Sequence, residues 1–220
     1  MKKIGILLSG CGFNDGSEIQ ESVITMLALD RAEVESVLMA PNIDQMHVVN
    51  HYTGQEMDEY RNVLVEASRI ARGNIKDMAE VTGNDIDGLI IPGGLGVTKN
   101  LSDYAMAGVE CSINPDVYRL VSEVHLLQKP IGAICIAPIM MAKILGEQDE
   151  SADMTIGSDK EIINDINSMG SNHIKCSVSE IVVDKEKKLI TTPAYMDAKS
   201  ISEVSSGIEK LVAEVLSMVS

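Results

Sequence analysis

Gly132-Ala133-Ile134-Cys135-Ile136-Ala137-Pro138 is the stretch on which the reading of this chain turns. Lys129-Pro130-Ile131 opens an apolar run ahead of it. Ile139-Met140-Met141-Ala142-Lys143-Ile144-Leu145 behind it has helical character, with Gly146 as its predicted end. A buried strand that turns into a helix at a cysteine has the outline of a nucleophile elbow. In that geometry the sulfur stands clear of the backbone. Free N–H groups at the helix start then stabilise a thiolate and any oxyanion beside it. A buried structural cysteine, acting as a small hydrophobe, fits the same seven residues.

Strand-then-helix units recur on both sides of this stretch. Residues 3–9 form a compact apolar run that ends in Ser9-Gly10-Cys11-Gly12, a buried strand entering a tight turn. Asn14-Asp15-Gly16-Ser17 supplies turn and N-cap chemistry, and residues 18–32 carry Ile19, Val23, Met26, Leu27 and Leu29 at helical spacing. Residues 34–40 read as a second strand closed by Pro41. Residues 41–56 look like a polar insertion, and 59–71 read as a helix capped by Gly73. Asp87-Gly88-Leu89-Ile90-Ile91 is a buried strand that runs into Pro92-Gly93-Gly94-Leu95-Gly96.

Further on, helices are expected over 116–128 and 159–169 and strands over 154–157, 180–184 and 188–192. A closing helix over 200–219 carries a stripe of Val204, Ile208, Leu211, Val212 and Val215. Strands alternating with helices predict a mainly parallel sheet covered on both faces, a three-layer α/β/α domain spanning residues 1–220. Active sites in such sheets lie at the carboxyl ends of the strands, where the turns at 10–17, 92–96, 135–138 and 192–196 are expected to converge.

Composition narrows the function. The 220 residues carry a net charge of −15, which argues against nucleic acid and anionic membrane surfaces as partners, since both demand clustered Lys and Arg. No run is long and apolar enough to span a bilayer. The opening Met1-Lys2-Lys3-Ile4-Gly5-Ile6-Leu7-Leu8 is too short for a signal sequence and leads at once into Gly, Cys, Asn and Asp, so a cytoplasmic protein is expected. With one Phe, no Trp and thirteen Met, the core must be aliphatic. Cys11, Cys111, Cys135 and Cys176 lie far apart without a C-x-x-C pair, and His47, His51, His125 and His173 are scattered. Neither a disulfide framework nor a metal site is expected.

Two elements give Cys135 company. Glu18 stands at the first turn of the helix after strand one, where a carboxylate commonly does no more than complement the helix dipole. On the same sheet edge as Cys135, however, a protonated carboxyl can donate to the thiolate and relay protons. Pro92-Gly93-Gly94 follows a buried strand, so backbone N–H groups of Gly93 or Gly94, paired with that of Ile136, would form an oxyanion hole. Neither glycine turn completes a phosphate-binding loop, because Gly10-Cys11-Gly12 meets Asp15 and Gly96 is followed by Lys99-Asn100. Asn14, Asp15, Asn100 and Cys11 are candidates for the mouth of the site.

Strand–Glu, then Pro-Gly-Gly, then an elbow cysteine, in that order, resembles the ThiJ/PfpI superfamily of class I glutamine-amidotransferase-like proteins. The likeness is closer to its ElbB subgroup, the isoprenoid-biosynthesis-associated glyoxalases. Asp15-Gly16-Ser17-Glu18-Ile19, His51-Tyr52-Thr53-Gly54, Cys135-Ile136-Ala137-Pro138 and Thr191-Thr192-Pro193-Ala194-Tyr195-Met196 carry it, and it extends over nearly the whole chain. The resemblance implies a flavodoxin-like fold, a homodimer, a reactive Cys135 paired with Glu18, and a glyoxalase needing no cofactor, metal or glutathione. Such an enzyme converts glyoxal or a related small dicarbonyl to the 2-hydroxy acid. Hydrolytic relatives place a His after the cysteine or at a later strand end. Ile136 and Thr192, Pro193 and Tyr195 occupy those places here, which argues against protease or glutaminase activity. The alternative from another class is a redox-sensing or stress-related interaction protein in which Cys135 is oxidised and catalysis is slight.

Overall fold

The computed structural model describes residues 2–219. Along the chain come β1 (Lys3–Leu7), α1 (Ile19–Arg31), β2 (Glu35–Ala40), the ribbon β3 and β4 (Val49–Asn50 and Gln55–Glu56), α2 (Val63–Ile70), β5 (Lys76–Asp77) and β6 (Gly88–Ile91). There follow α3 (Tyr104–Ala107), α4 (Pro115–Leu126), β7 (Ile131–Ile134), α5 (Ala137–Glu147), β8 (Asp153–Met154), α6 (Lys160–Ser168), β9 (Asn172–His173), β10 (Val182–Asp184), β11 (Leu189–Thr192) and α7 (Ile201–Met218). Seven strands form one sheet in the order β10-β11-β7-β6-β1-β2-β5, flanked by helices. All its pairs are parallel except β10 with β11 at one edge. This is the mainly parallel α/β architecture expected from the alternation of strands and helices, and the flavodoxin-like fold that the resemblance implies.

The strands form where the sequence is apolar without interruption. Every residue of β6 (Gly-Leu-Ile-Ile), β7 (Ile-Gly-Ala-Ile) and β11 (Leu-Ile-Thr-Thr) is buried, as parallel strands covered on both faces must be. Helix starts are set by side chains that accept orphan N–H groups. Asn62 caps α2, Asn114 caps α4 with Pro115 in the first turn, Asp159 caps α6 and Ser200 caps α7. The α7 stripe of Val204, Ile208, Leu211, Val212 and Val215 is buried as expected. It comes close because β7 has a glycine beneath it: a Cβ on Gly132 would stand 2.7 Å from Leu211 Cδ2.

Three expectations are corrected. Gly146 lies inside α5 and does not end it. It is a close-approach residue, since a Cβ there would meet the Met169 carbonyl oxygen at 2.4 Å. The strand expected over 154–157 is the two-residue β8, paired with β9 outside the main sheet. The third correction concerns α1. Its apolar row Ile19, Val23 and Leu27 faces outward, 44%, 48% and 43% exposed, while Glu21, Ser22 and Thr25 are fully buried.

The sheet order positions the site. From β1 the chain steps to β2 on one side and later to β6 on the other, so the turns after β1 and β6 part at the carboxyl edge. Such a switch point is where open α/β sheets hold ligands.

Candidate active site

Cys135 follows β7 directly, with φ at +61°. That left-handed conformation is costly for a residue with a Cβ and survives where surrounding structure imposes it. Two anchors impose it here. The Cys135 N–H donates to the Thr192 carbonyl of β11 at 3.0 Å, and Pro138 sits in the first turn of α5. The thiol is buried, and the N–H groups of Gly94 and Ile136 donate to its sulfur.

The carboxyl at that sulfur belongs to Glu21. Its side chain, fully buried, lies beside the Cys135 thiol: a Cβ on Gly93 would stand 2.7 Å from Glu21 Oε2 and 3.0 Å from the sulfur. One carboxyl oxygen accepts from the Gly93 N–H at 2.9 Å, and the other accepts from the Tyr195 N–H at 3.3 Å. Four chain segments therefore meet in one constellation: α1, the turn after β6, the elbow and the turn after β11. Burial first, and the nearby Glu18 carboxylate second, hold the Glu21 acid protonated up to about 8, against N–H bonds that act the other way. Burial and the Glu21 carboxyl push the Cys135 thiol well up, while the Gly94 and Ile136 N–H groups pull it down. The two groups titrate as a pair.

The structure thus corrects two expectations. The buried carboxyl beside Cys135 is that of Glu21, one helical turn beyond the expected Glu18, which lines the cavity together with Cys135. Glu18 is instead the N-cap of α1: its carboxyl accepts from the Glu21 N–H at 2.6 Å, and its own N–H donates to the Gly93 carbonyl at 2.9 Å. Burial raises the Glu18 carboxyl, opposed by the N–H groups of Glu21 and Gln20. Of the expected oxyanion donors, Gly94 and Ile136 do point at the sulfur, whereas the Gly93 N–H is committed to Glu21. Gly93 is needed for space as well. A Cβ there would lie 2.4 Å from Cys135 Cβ and 2.7 Å from Glu21 Oε2.

A cavity of about 480 Å3 opens above the sulfur, lined by Phe13, Glu18, Gly94, Leu95, Cys135, Ile136, Ile162, Tyr195 and Met196. Asn14, Asp15 and Asn100 do not line it; they fasten the loop after β1. The Asn100 side chain donates to the carbonyls of Ser9 and Asp15 at 2.8 and 2.9 Å, and Asp15 accepts from the Val49 N–H at 2.7 Å. Cys11 lies outside the cavity wall, its thiol raised by burial and by Glu66. His125 is buried on Glu150, 3.0 Å away, far from the chemistry in the fold. Among the described residues no group of three or more His, Cys, Asp or Glu side chains is arranged to hold a metal ion. No helix there is long and apolar enough to cross a membrane.

Sequence reasoning missed Glu21 and Ile162; Phe13, Leu95 and Met196 belong to turns expected at this edge, though none was singled out. Helical spacing offered a signal for Glu21, since i and i+3 share a face with Glu18, but the apolar row of α1 pointed the other way.

No family model matches the sequence. Individual proteins do. The human glutamine amidotransferase-like class 1 domain-containing protein 3, mitochondrial, is 38% identical, aligned over 98% of this chain and 83% of its own. The rat ES1 protein homolog, mitochondrial, is 36% identical over 98% of this chain and 84% of its own. Among solved structures, an isoprenoid biosynthesis protein with an amidotransferase-like domain from Ehrlichia chaffeensis superposes with a TM-score of 0.94, at 35% identity and full coverage of both chains. DJ-1beta of Drosophila melanogaster shares the fold, with a TM-score of 0.56 at 21% identity over 98% of this chain and 96% of its own. These relatives overturn the cytoplasmic placement, since both curated ones are named as mitochondrial. An identity of 38% across nearly the whole chain, on a shared fold, makes this chain a member of the glutamine amidotransferase-like class 1 domain family.

Proposed function

We propose that the protein is a cofactor-independent glyoxalase that converts glyoxal or a related small dicarbonyl to the 2-hydroxy acid at Cys135. The observation that carries this reading is the buried Glu21 carboxyl set beside the Cys135 thiol, both within 3.0 Å of where a Cβ on Gly93 would stand, with the Gly94 and Ile136 N–H groups on the same sulfur.

The chemistry balances with water alone. Loss of one proton from the pair leaves a single proton between sulfur and carboxyl, and the two N–H groups favour the charge on sulfur. Sγ adds to an aldehyde carbon, and the carbonyl oxygen takes the proton held by Glu21, giving a hemithioacetal. Glu21, now a carboxylate, removes the proton from that carbon to leave an enediolate and returns it to the neighbouring carbon, while the hydroxyl proton passes from the first oxygen to the second. The product is a thioester of the 2-hydroxy acid. Water hydrolyses it, releases the acid and restores the thiol. Gly94 and Ile136 stabilise oxyanions formed beside the sulfur. Glu18, expected to be the shuttle, is read instead as the cap that sets the pitch of α1 and a polar edge of the cavity.

Residues 1–220 are proposed to act as one domain, and the outward row Ile19, Val23 and Leu27 supports a homodimer through α1. The relatives' names support a mitochondrial setting. A second reading, redox sensing, draws on the same donors around the sulfur, which would equally hold the oxygens of an oxidised Cys135.

Purified protein should turn over glyoxal or methylglyoxal, and Cys135→Ala should abolish it. Turnover that survives Cys135→Ala overturns the mechanism. Trace wild-type turnover together with a mass gain on Cys135 in dilute peroxide favours the sensor.

A further inference from the structure

Backbone strain is buried at two places in this chain. Non-glycine residues with positive φ such as Glu33, Arg72 and Gln128 are exposed turn residues. Among the described residues only Cys135, at +61°, and Ala194, at +43°, combine such a φ with burial. They follow neighbouring strands, β7 and β11. They are also coupled, because the carbonyl of Thr192, two residues before Ala194, takes the Cys135 N–H at 3.0 Å. Strain of this kind persists only where the surroundings impose it, and beside a reactive group it points to a role. The elbow accounts for Cys135 but not for Ala194.

The residue after Ala194 shows what the turn does. The N–H groups of Met196, Asp197 and Ala198 fold back on the carbonyls of Pro193 and Ala194, at 3.0, 3.1 and 2.9 Å. The Tyr195 N–H instead leaves the turn and donates to Glu21 Oε1 at 3.3 Å. The other carboxyl oxygen takes the Gly93 N–H at 2.9 Å. The Tyr195 bond is the longer of the two, so a small shift of the turn is enough to lose it. The Tyr195 side chain supplies a second tie to the same helix, since its hydroxyl donates to the Gln20 side-chain oxygen. The turn is thus fastened to α1 at two successive residues, Gln20 and Glu21.

We infer that Gln20 and Tyr195 are positioning residues for Glu21: the bond between their side chains holds the strained turn after β11 on α1 and so keeps the Tyr195 N–H on the Glu21 carboxyl. The Glu21–Cys135 pair served in this way is the one on which the glyoxalase reading rests. An N–H on a carboxyl favours its ionised form, so a turn that drifts leaves the pair holding its proton to higher pH. The titratable groups that face Glu21 are Glu18 on its own helix, Cys135 at the elbow and the Tyr195 phenol. On α7, α2 and β2, which pack on the same helix, Glu209, Glu66 and Glu35 are paired with Arg31, Arg69 and Lys3. Gln20→Met and Tyr195→Phe cut the side-chain bond from either side and alter no charge at neutral pH.

The test is the pH profile of Cys135 alkylation by iodoacetamide, read by mass spectrometry in wild type, both single variants and the double variant. Ultraviolet thiolate absorbance, taken against Cys135→Ala, gives the same midpoint without a reagent. Neither measurement needs turnover, so the result stands whether or not a dicarbonyl is converted, and failure of the glyoxalase reading is a separate outcome. Each single variant should move the midpoint up by about half to one pH unit, a fall of about three- to tenfold in rate below it. The double variant should move it no further, since both changes cut one bond. Gln20 is exposed and lies outside the cavity lining, so its replacement keeps the fold and the access to the sulfur. A bond that only braced the fold would lower the thermal midpoint and leave the pH profile in place, which overturns the inference. A midpoint that moves in only one single variant, or shifts that add in the double, overturn it as well.

Discussion

Glu21 and Cys135 sit on different elements, the first turn of α1 and the residue after β7, yet their side chains come together inside a buried pocket closed by Gly93. The pair gives Cys135 a proton partner without histidine. It also separates two glutamates three residues apart into a cap and a reactive acid, and the two roles make different demands on substitution. Glu21→Gln keeps the shape and the acceptor for Gly93 but cannot exchange a proton, and should lower kcat/KM for a dicarbonyl by about 10²–10⁴-fold. Glu18→Ala removes the cap and should cost about 0.5–2 kcal/mol of stability, with only a few-fold loss of turnover. Steady-state kinetics with thermal melts of both variants check this. A larger kinetic loss for Glu18→Ala would return the shuttle role to Glu18.

Stability and activity should move in opposite directions with pH. A buried acid held protonated up to about 8 is neutral in the fold where the unfolded chain, near the ordinary value of 4.5, is already ionised. The folded state binds more protons across that window, so stability falls as pH rises from about 5 to 8. At about 1.4 kcal/mol per unit, the ceiling is about 4 kcal/mol. Denaturant melts from pH 5 to 8 should show this decline in wild type, and Glu21→Gln should flatten it and gain stability at pH 8. Over the same window kcat/KM should rise as the pair loses its first proton. Melts of the two proteins that run parallel would remove Glu21 as the titrating group.

Gly93 is held by space on three sides: a Cβ would stand 2.4 Å from Cys135 Cβ, 2.7 Å from Glu21 Oε2 and 3.0 Å from the sulfur. Cys135 Cβ is fixed by its backbone and cannot step aside, so the added methyl would push the strand and elbow apart and turn the Glu21 carboxyl away. Gly93→Ala should therefore cost about 1–3 kcal/mol and part the Glu21 carboxyl from Cys135, lowering turnover by about 100-fold or more. Because the protein should remain folded, alkylation of Cys135 gives a second readout: its pH profile should shift relative to wild type.

The sheet was legible because buried parallel strands are near-continuous apolar runs, and β1, β6 and β7 are bounded by Gly and Pro turns that stop them. The elbow was legible for the same reason. The site was legible only in part. The carboxyl partner was misassigned because α1 breaks the rule that its apolar row faces the core: Ile19, Val23 and Leu27 look outward, and Glu21, Ser22 and Thr25 look in. A buried acid on a helix has no periodic signature, since its partners, the N–H groups of Gly93 and Tyr195, come from turns 72 and 174 residues away. The cavity wall was hidden for a related reason. Phe13, Leu95 and Met196 sit in turns expected at the sheet edge, but nothing in the sequence tells which side chain of each turn faces the cavity, and Ile162 comes from α6, which carries no motif.

The inverted face of α1 leads to the last prediction. Ile19, Val23 and Leu27 follow one another at i, i+4 and i+8, so they form a continuous apolar row on one side of the helix. Water-facing rows of this kind are uncommon on monomers, and a second copy of the same helix is a self-complementary partner across a two-fold axis. The chain also carries a net charge of −15, so a new carboxylate on this row would meet its own copy as well as lose apolar contact. Val23→Asp with Leu27→Asp should convert a dimer to a monomer in analytical ultracentrifugation while leaving the fold intact, because both side chains are exposed in the single chain. The row begins at Ile19, beside the Glu18 cap, so the monomer should also show altered turnover. A dimer that survives both substitutions would move the interface away from α1, and a wild-type monomer at micromolar concentration would remove it.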